Sequence, residues 1–356
     1  MNSRLKKLTR DLLSLPTAPF HEEVVLAYIR EFARKRALDL KSDRYGNLVV
    51  RYRNGDRPKP VALSAHTDHP GFEILDVCGL DISARWLGGC DPNHFPGGAV
   101  TIISGGEEIA GRATSPLAKD KTFAVRSRRA LPNANGFGYW RLKSVDFDGD
   151  RIKTKAADNL AGCIAILATL DRLQQMGEVA DLRAVFTRAE EVGLLGAGGI
   201  VHADTLPKRV PLIVLEASKE LPGAKIGDGP VVRVGDAMTV FDPKIEFALH
   251  TKAANLQRTK RRFRYQRQLM SGGVCEVTLY ALHDLPVGGL AFPLGNYHNQ
   301  GKRWPAQEVI SALDLAGMIE LCFAIAMDPP TDRAWRPIAK RFSSAFNKQK
   351  RRLMQT

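Results

Sequence analysis

Four short apolar runs constrain the fold more than any other feature, because turn signals bound each run and a His or Glu residue follows it. The runs cover residues 61–65, 182–186, 212–215 and 287–292, and the residues that follow are His66, Glu190 with Glu191, Glu216 and His298. Such runs are typical of strands at the centre of a parallel sheet. The carboxyl ends of these strands meet at one edge of the sheet. The sequence therefore predicts that the following side chains converge on one pocket.

Segments with helical periodicity alternate with these runs. In residues 20–37, for example, Leu26, Ile29 and Phe32 recur at helical spacing, and similar patterns occupy residues 4–15, 158–173 and 306–326. Strands that alternate with helices indicate an α/β fold. We therefore predict a mostly parallel central sheet flanked by helices.

Residues 72–154 have a different texture, since short β-like pieces alternate there with glycine-rich turns and no long helical pattern occurs. This texture predicts a small all-β domain inserted into the α/β fold. The predicted organisation is thus a catalytic α/β domain of residues 1–71 and 155–330, an inserted β-rich domain of residues 72–154, and a basic C-terminal tail of residues 331–356.

The composition is that of an ordinary globular protein of 356 residues. No run of about 18 uninterrupted apolar residues occurs, so no membrane is expected as a partner. The N-terminal 16 residues show a basic amphipathic helical pattern and not a signal peptide. The five cysteines are scattered and lack C-x-x-C spacing, which favours a cytoplasmic location and argues against a thiolate metal site.

The net charge of +14 is concentrated in residues 258–267 and in the tail, residues 331–356. Basic patches of this kind can bind the phosphate backbones of nucleic acids. A solvated surface with a frayed terminus is the commoner explanation. Nucleic acid therefore stays an alternative partner and not the expected one.

The side chains that follow the four runs offer imidazole and carboxylate ligands without thiolate, a set that suits Zn²⁺, Co²⁺ or Mn²⁺. Asp158 lies outside the strand ends, at the start of a helix, and could bridge two cations about 3.5–4 Å apart. Asp68 follows His66 in a His-x-Asp pattern, and its carboxylate could fix the tautomer of that histidine. The residues therefore predict a site for two divalent cations.

Several sequence strings together resemble those of the dinuclear-zinc aminopeptidases of metallopeptidase clan MH. They are His66-x-Asp68, Asp158-x-x-x-Gly162, Glu190-Glu191-x-Gly193 and Tyr297-His298. Within that clan, the sequence is most similar to the tetrahedral (TET-type), deblocking and glutamyl aminopeptidases. Residues 86–97 also resemble the G-G-W-D-P…L-P-G segment of that family's oligomerisation domain. The resemblance covers roughly residues 8–327.

The resemblance implies a zinc-exopeptidase-like fold and a metal-dependent aminopeptidase that hydrolyses N-terminal residues of peptides. It places His66, Asp158 and Glu216 on one cation, and Asp158, Glu191 and His298 on the other. Zn²⁺ would be the native cation, with Co²⁺ or Mn²⁺ as alternatives.

The resemblance also assigns the proton transfer and the assembly. Glu190 would act as general base on a water molecule bound by both metals, and Asp68 is counted with Glu190 among the catalytic residues. The partners implied are a peptide substrate and further copies of the chain, joined in a homo-oligomer through the inserted β domain.

Four positions depart from the family pattern and leave the substrate preference open. Glu216 stands where Asp is common, Asn159 where a second Asp is frequent, and His69 where Glu is usual. Glu276 lies in a segment that replaces a common Gly-Gly-Thr-Asp. This carboxylate could bind a substrate ammonium group or serve the structure alone.

Two alternative functions remain at this point. One is a different two-metal amidohydrolase of the same clan, either a deacylase or a carboxypeptidase. The other is a catalytically dead relative that binds nucleic acid, which the charge of +14 motivates. A glycosidase that uses Glu190 and Glu191 is disfavoured. The two carboxyl groups of a glycosidase flank the scissile bond and lie about 5–9.5 Å apart, whereas adjacent residues sit too close together.

Overall fold

The computed structural model describes residues 1–355, except for the side chains of residues 332 and 333. Residue 356, the last of the predicted basic tail, lies outside this range.

Helices and strands alternate along most of the chain. The described residues contain the α-helices α1 (Ser3–Ser14), α2 (Glu23–Arg34), α3 (Leu160–Met176), α4 (Leu195–His202), α5 (Pro243–Thr259), α6 (Glu276–Leu282), α7 (Ala312–Met327) and α8 (Arg336–Leu353). The strands are β1 (Asp39–Ser42), β2 (Leu48–Asn54), β3 (Pro60–His66), β4 (Gly71–Cys78), β5 (Asp81–Leu87), β6 (Ala99–Ser104), β7 (Glu107–Ala113), β8 (Thr122–Ser127), β9 (Gly136–Trp140), β10 (Val145–Asp148), β11 (Arg151–Thr154), β12 (Ala180–Thr187), β13 (Leu212–Lys219), β14 (Val231–Gly235), β15 (Gln266–Leu269), β16 (Val287–Leu294) and β17 (Glu308–Ser311).

The centre of the molecule is a mixed eight-stranded sheet in the order β1-β2-β12-β3-β13-β16-β14-β15. Its four middle strands, β12, β3, β13 and β16, are parallel neighbours. These are the four apolar runs of the sequence, and their side chains are almost entirely buried. The predicted α/β fold class is therefore confirmed, and the carboxyl ends of all four runs lie side by side.

Helices cover both faces of this sheet, which explains why its middle strands are apolar on both sides. Helices α1, α2, α3, α5 and α7 pack on one face and form the larger core. Helices α4 and α6 pack on the other face around Tyr280 and Phe241. Helix α3 begins at Asn159, whose side chain accepts a hydrogen bond from the amide of Gly162. The rigid start of α3 thus lies at the carboxyl edge of the sheet.

The β-rich segment closes into a barrel of six strands in the order β4-β5-β8-β7-β6-β9. Its core is a cluster of aromatic rings in tilted and edge-to-face contact, with Trp86 and Trp140 at 4.8 Å between ring centroids. The barrel strands span residues 71–140, which are Gly71 and most of the predicted insert. The last two strands of that insert, β10 and β11, pair instead with β17 in a small three-stranded sheet.

Two segments differ in the structure from what the sequence predicts. Residues 306–326 are not one helix, because Glu308–Ser311 form strand β17 and helix α7 begins only at Ala312. The tail is not frayed, since Arg336–Leu353 form helix α8, which buries none of its side chains. None of the helices among the described residues is long and apolar enough to cross a membrane.

Candidate metal centre

The carboxyl edge of the four parallel strands brings the predicted ligands together. His66 is the last residue of β3, and Glu190 and Glu191 follow β12, whose Thr187 pairs in register with His66. His298 follows β16 in a short 3₁₀ turn. Glu216 lies inside β13 and not at its end, so the strand runs three residues beyond this side chain.

One half of the centre is built around His66. The Nε2 atom of His66 lies 3.2 Å from Oδ1 of Asp158 and 3.4 Å from Oε1 of Glu216. It lies 4.0 Å from Oε2 of Glu190. All four side chains are buried. This half therefore offers one imidazole and several carboxylates within the reach of one ion.

The other half is built around His298. The Nε2 atom of His298 lies 3.1 Å from Oε2 of Glu191 and 3.6 Å from Oδ2 of Asp158. Asp158 therefore turns one carboxylate oxygen to His66 and the other to His298. This is the arrangement that a bridging carboxylate requires.

The most compact ligand groups in the described structure are His66 with Asp158 and Glu191, and His66 with Glu190 and Glu216. In each group, the ligand atoms lie within 4.8 Å of one another. Neither group contains His298, so the tightest sets differ from the predicted division of ligands between two ions. All five predicted metal ligands nevertheless belong to one continuous cluster.

Unpaired polar atoms in this cluster fit a cation. Oδ1 of Asp158, Oε1 of Glu191 and both ring nitrogens of His298 are buried and make no hydrogen bond of suitable geometry among the described residues, although Oδ1 of Asp158 lies 3.2 Å from Nε2 of His66 and Nε2 of His298 lies 3.1 Å from Oε2 of Glu191. Buried polar atoms are costly unless something satisfies them. Imidazole nitrogens and carboxylate oxygens are ligands that Zn²⁺ and similar divalent cations accept. The donor set therefore fits a metal centre.

The electrostatics of the pocket also favour added positive charge. Burial raises the pKa of Glu216 to about 7 and raises the pKa of Glu190 well above its ordinary range, and a neighbouring carboxylate adds to each rise. Burial alone would lower the pKa of His66 and of His298, but the surrounding carboxylates outweigh it and raise both pKa values. The pocket thus holds more negative charge than two imidazoles balance.

Asp68 positions the two adjacent glutamates through their backbone. Its Oδ1 accepts a hydrogen bond from the amide of Glu190 at 3.0 Å, and its Oδ2 accepts one from the amide of Glu191 at 3.1 Å. Its Oδ1 lies 3.4 Å from Nδ1 of His66, which is farther than the 3.2 Å from Nδ1 to the Asp68 backbone oxygen. The shorter contacts of this carboxylate are therefore those with the glutamate turn, and the histidine contact is the longer one.

Glu308 performs the matching task on the other side of the centre, and sequence reasoning missed it. Its Oε2 accepts hydrogen bonds from the amides of Ala157 and Asp158, and its Oε1 accepts one from the amide of His298 at 2.8 Å. Glu308 is fully buried, and burial raises its pKa to about 7. One side chain thus holds the loops of both Asp158 and His298. The only sequence signal was a single Glu beside an apolar stretch.

Two departures from the family pattern have structural roles. The side-chain amide of Asn159 donates to the backbone oxygen of Leu215 at 2.6 Å, which an Asp carboxylate could not do. The ring of His69 lies between the backbone oxygen of Asp158, at 2.5 Å, and Oδ1 of Asn299, at 3.0 Å. Both residues therefore hold the backbone around Asp158.

The barrel also reaches the centre, through the turn after β5. A Cβ atom at Gly89 would lie 2.3 Å from Nδ1 of His298, so only glycine fits this position without displacing the imidazole. Residues of the predicted insert and of the catalytic sheet therefore share one wall of the pocket.

The centre opens into a cavity of about 290 Å³ whose wall includes Gly272, Gly273, Cys275 and Arg233. Glu276 is fully buried beside Ser64 and does not line this cavity. This position favours the structural role predicted for Glu276 over the binding of a substrate ammonium group. Arg233 is only 2% exposed, and its Nε and Nη1 atoms have no hydrogen-bond partner in the described part of the chain. Sequence reasoning did not single out Arg233, because an isolated Arg in an apolar strand carries no motif.

A mixed α/β sheet whose carboxyl edge carries buried imidazoles and carboxylates is an enzyme scaffold suited to a divalent cation. Residues 136–319 match the family model described as M42 glutamyl aminopeptidase. This match spans more than half of the chain, so the chain belongs to the M42 glutamyl aminopeptidase family. The predicted family is confirmed. The protein is a peptide hydrolase, and members of this family depend on metal.

Individual relatives agree with this assignment. A curated protein of Acetivibrio thermocellus described as "Putative aminopeptidase" is 24% identical over 315 residues, which cover 83% of this chain and 92% of the relative. The TET aminopeptidase of a marine-sediment Thaumarchaeota archaeon superimposes with a TM-score of 0.79 at 19% identity, over 93% of this chain and 99% of its own. The TET1 peptidase of Pyrococcus horikoshii superimposes with a TM-score of 0.75 at 19% identity, over 91% and 99% of the two chains. The structural likenesses show a shared fold.

Proposed function

We propose that this protein is an aminopeptidase that holds two divalent cations in the cluster between His66 and His298. The observation that carries this proposal is the orientation of Asp158, whose two oxygens face the two imidazoles separately. Asp158 would bridge the ions, His66 and Glu216 would complete one site, and Glu191 and His298 the other. Zn²⁺ is the cation that this ligand set favours, with Co²⁺ or Mn²⁺ as substitutes.

Bound divalent cations would polarise the scissile carbonyl and lower the pKa of water from 15.7 towards about 7. The protein supplies the proton transfer. Glu190, held by the hydrogen bond from its amide to Asp68, would take a proton from the attacking water and return it to the leaving amine. Its neighbour Glu191 faces His298 instead, which supports the division of the two adjacent carboxylates into base and ligand.

The cavity beside the centre, about 290 Å³, lies at the lower end of the range of small-molecule pockets, which supports binding of a short terminal segment of a peptide. We infer further that this cavity prefers an acidic N-terminal residue. A buried guanidinium with unpaired N–H groups is costly, and a substrate carboxylate beside Arg233 would satisfy it. The description of the family as glutamyl aminopeptidases agrees with this preference.

A panel of chromogenic substrates tests the reaction type. Aminoacyl substrates with a free amino group should be hydrolysed, and N-acetylated or carboxyl-terminal substrates should not. Hydrolysis confined to acetylated substrates would identify a deacylase instead, and release of residues from the carboxyl terminus would identify a carboxypeptidase. Acidic aminoacyl substrates should be hydrolysed faster than leucyl substrates.

We further propose that the chain consists of a catalytic domain of residues 1–71 and 155–330 and an insert of residues 72–154. Copies of this chain would assemble into a homo-oligomer through the barrel region of that insert. The TET1 peptidase of Pyrococcus horikoshii assembles into a tetrahedron or an octahedral shell, and this chain shares its fold. A cytoplasmic location agrees with five free cysteines. Light scattering should give a mass of several chains, and a monomer at micromolar concentration would contradict the assembly.

A further inference from the structure

Helix α8 is the least integrated element of the described structure. It buries none of its side chains, although it carries large apolar residues. Phe342 is 66% exposed and Phe346 is 58% exposed. Ile338, Phe342 and Phe346 recur every four residues, so they lie along one face of the helix. An apolar stripe exposed in this way needs something to cover it.

The opposite face of α8 is basic. Lys340 and Arg351 lie on the side of the helix away from the apolar stripe, because successive residues turn by about 100°. From residue 333 to the end, the sequence contains eight Lys or Arg residues and no Asp or Glu. The helix therefore combines an aromatic apolar stripe with an unbroken positive field.

This charge pattern argues against another part of the same chain as the cover. Eight of the 14 net positive charges lie beyond residue 332, which leaves residues 1–332 with a net charge of +6. Helix α8 and the remainder of the molecule are both positive, and the same holds for α8 and a second copy. The net electrostatic interaction between them is therefore repulsive. Electrostatic complementarity therefore favours an anionic partner over a second copy.

The attachment of α8 leaves its length accessible. Residue Trp335, just before the helix, packs edge to face against Phe247 of α5 with 5.9 Å between ring centroids. Beyond this contact, Phe342 and Phe346 have no ring contact among the residues described. The helix is thus anchored at its N-terminal end and presents its aromatic stripe and its basic face together.

The stripe decides between two anionic partners. A nucleic-acid duplex would use the basic face but would leave Phe342 and Phe346 in water, since its phosphate backbone offers no apolar contact. Single-stranded bases could stack on the two rings but would not cover the aliphatic Ile338 of the same stripe. A membrane surface with anionic lipids satisfies both faces, because Phe side chains enter the boundary between headgroups and acyl chains while Lys and Arg stay with the headgroups. Basic helices that carry one apolar face and are otherwise strongly polar characteristically lie in that interface.

We propose that α8 binds in the plane of a bilayer surface that contains anionic lipids and so places the peptidase at that surface. This proposal departs from the expectation from the sequence that no membrane is a partner, which considered only membrane-spanning segments. The helix would lie on the membrane and not cross it. None of the described residues of α8 lines the cavity beside the metal centre, so lipid binding can be measured independently of peptide hydrolysis.

Flotation of the full-length protein with vesicles tests this proposal. The protein should float with vesicles of phosphatidylcholine mixed with phosphatidylglycerol and should remain unbound with phosphatidylcholine alone. The double substitution Phe342→Ser with Phe346→Ser should lower the affinity at least about tenfold, because the apolar insertion is lost. Lys340→Gln with Arg351→Gln should lower it by a comparable factor and reduce its dependence on salt.

A matched control is the double substitution Val240→Ser with Leu282→Ser, which removes side chains that are 72% and 70% exposed elsewhere on the surface. This variant should float like the unchanged protein. Retained circular dichroism and peptidase activity in every variant would establish that the fold is intact.

Three outcomes would overturn the proposal. The first is equal binding to both kinds of vesicle or to neither. The second is tight binding of random-sequence duplex DNA that the Phe342→Ser and Phe346→Ser variant retains in full, without vesicle binding. The third is a loss of oligomer mass in that same variant in lipid-free solution, without vesicle binding, which would make α8 a contact between copies.

Discussion

The metal centre and helix α8 use charge in opposite ways. At the carboxyl edge of the sheet, carboxylates from separate loops are buried so close together that one small ion could contact several of them. Each loop is held by hydrogen bonds to a further carboxylate. In α8, the charges all have one sign, are spread along an exposed helix and bury nothing. The first region concentrates charge in a low-dielectric pocket, where it acts strongly on a small ion. The second presents charge to water, where only a large surface of opposite charge gains much from it. Position in the fold thus decides what kind of ligand a cluster of charges can bind.

The largest effect should come from removing the metal. Dialysis against a chelator is expected to abolish peptide hydrolysis, and the melting temperature should fall because bound ions stabilise the folded state by about 2.7 kcal/mol at a hundred times their Kd. Zn²⁺, Co²⁺ or Mn²⁺ should restore both properties. Full activity in metal-free protein would contradict the metal centre. Vesicle flotation should not change.

The next effect should come from the proposed base. Glu190→Gln is expected to reduce kcat by about 10²–10⁴-fold, since the proton can no longer be moved, while the content of two metals per chain is retained. Elemental analysis and steady-state kinetics measure these two results. Loss of metal together with activity would instead make Glu190 a ligand.

A smaller effect is expected from Glu308→Gln, which weakens the support of the Asp158 and His298 loops. Metal affinity or activity should fall by about 10–100-fold, as is usual for residues that orient ligands. The matched control is Asp314→Asn. Asp314 also accepts hydrogen bonds from two backbone amides, but these belong to Gly227 and Gly229, which lie in a loop without predicted metal ligands. If both substitutions reduce metal affinity equally, the effect of Glu308 is general instability.

Arg233→Met should change preference more than rate. We expect the ratio of kcat/KM for glutamyl over leucyl substrates to fall by about 10-fold or more, because a charge-assisted hydrogen bond to the substrate is lost. Arg183→Met is the control, since Arg183 is a half-buried arginine that also has an unpaired Nε but does not line the cavity. An unchanged ratio in the Arg233 variant would remove the basis for an acidic preference.

The smallest effect concerns Lys155, the buried counterpart of the exposed lysines of α8. It lies over the ring of Tyr139, and burial lowers its pKa to about 7 from the 10.5 of an exposed lysine. Between these pH values, the unfolded chain binds more protons than the folded one, so the free energy of unfolding should rise with pH by at most about 1.4 kcal/mol per unit. Lys155→Met should flatten this slope, whereas Lys340→Met in α8 should leave it unchanged. Denaturant titrations at several pH values measure it.

Much of the fold could be predicted because its signals are local. The four buried runs, the helices between them and the barrel texture follow from apolar periodicity and turn residues. The ligands His66, Glu191 and His298 then follow from one topological rule, that parallel strands end at a common edge. Their roles as ligands stay predictions until a metal is measured.

What the sequence did not reveal depends on long-range contacts or on competing signals. Glu308 supports two loops only because β17 pairs with β11, which no local pattern encodes. Arg233 becomes notable only once the cavity wall is known. The helicity of α8 was hidden by its basic composition, since the charge of residues 331–356 was more conspicuous than the four-residue recurrence of Ile338, Phe342 and Phe346.

The fit of Gly89 against His298 has a consequence for the history of the molecule. A barrel that closes on itself resembles a part that could be exchanged freely between relatives. Its turn at Gly89, however, occupies the space next to an imidazole of the other domain, and any larger residue there would overlap it. A chimaera that received a foreign barrel without a glycine at this turn would lose the position of His298. The two domains are therefore expected to be inherited together, as one unit of selection.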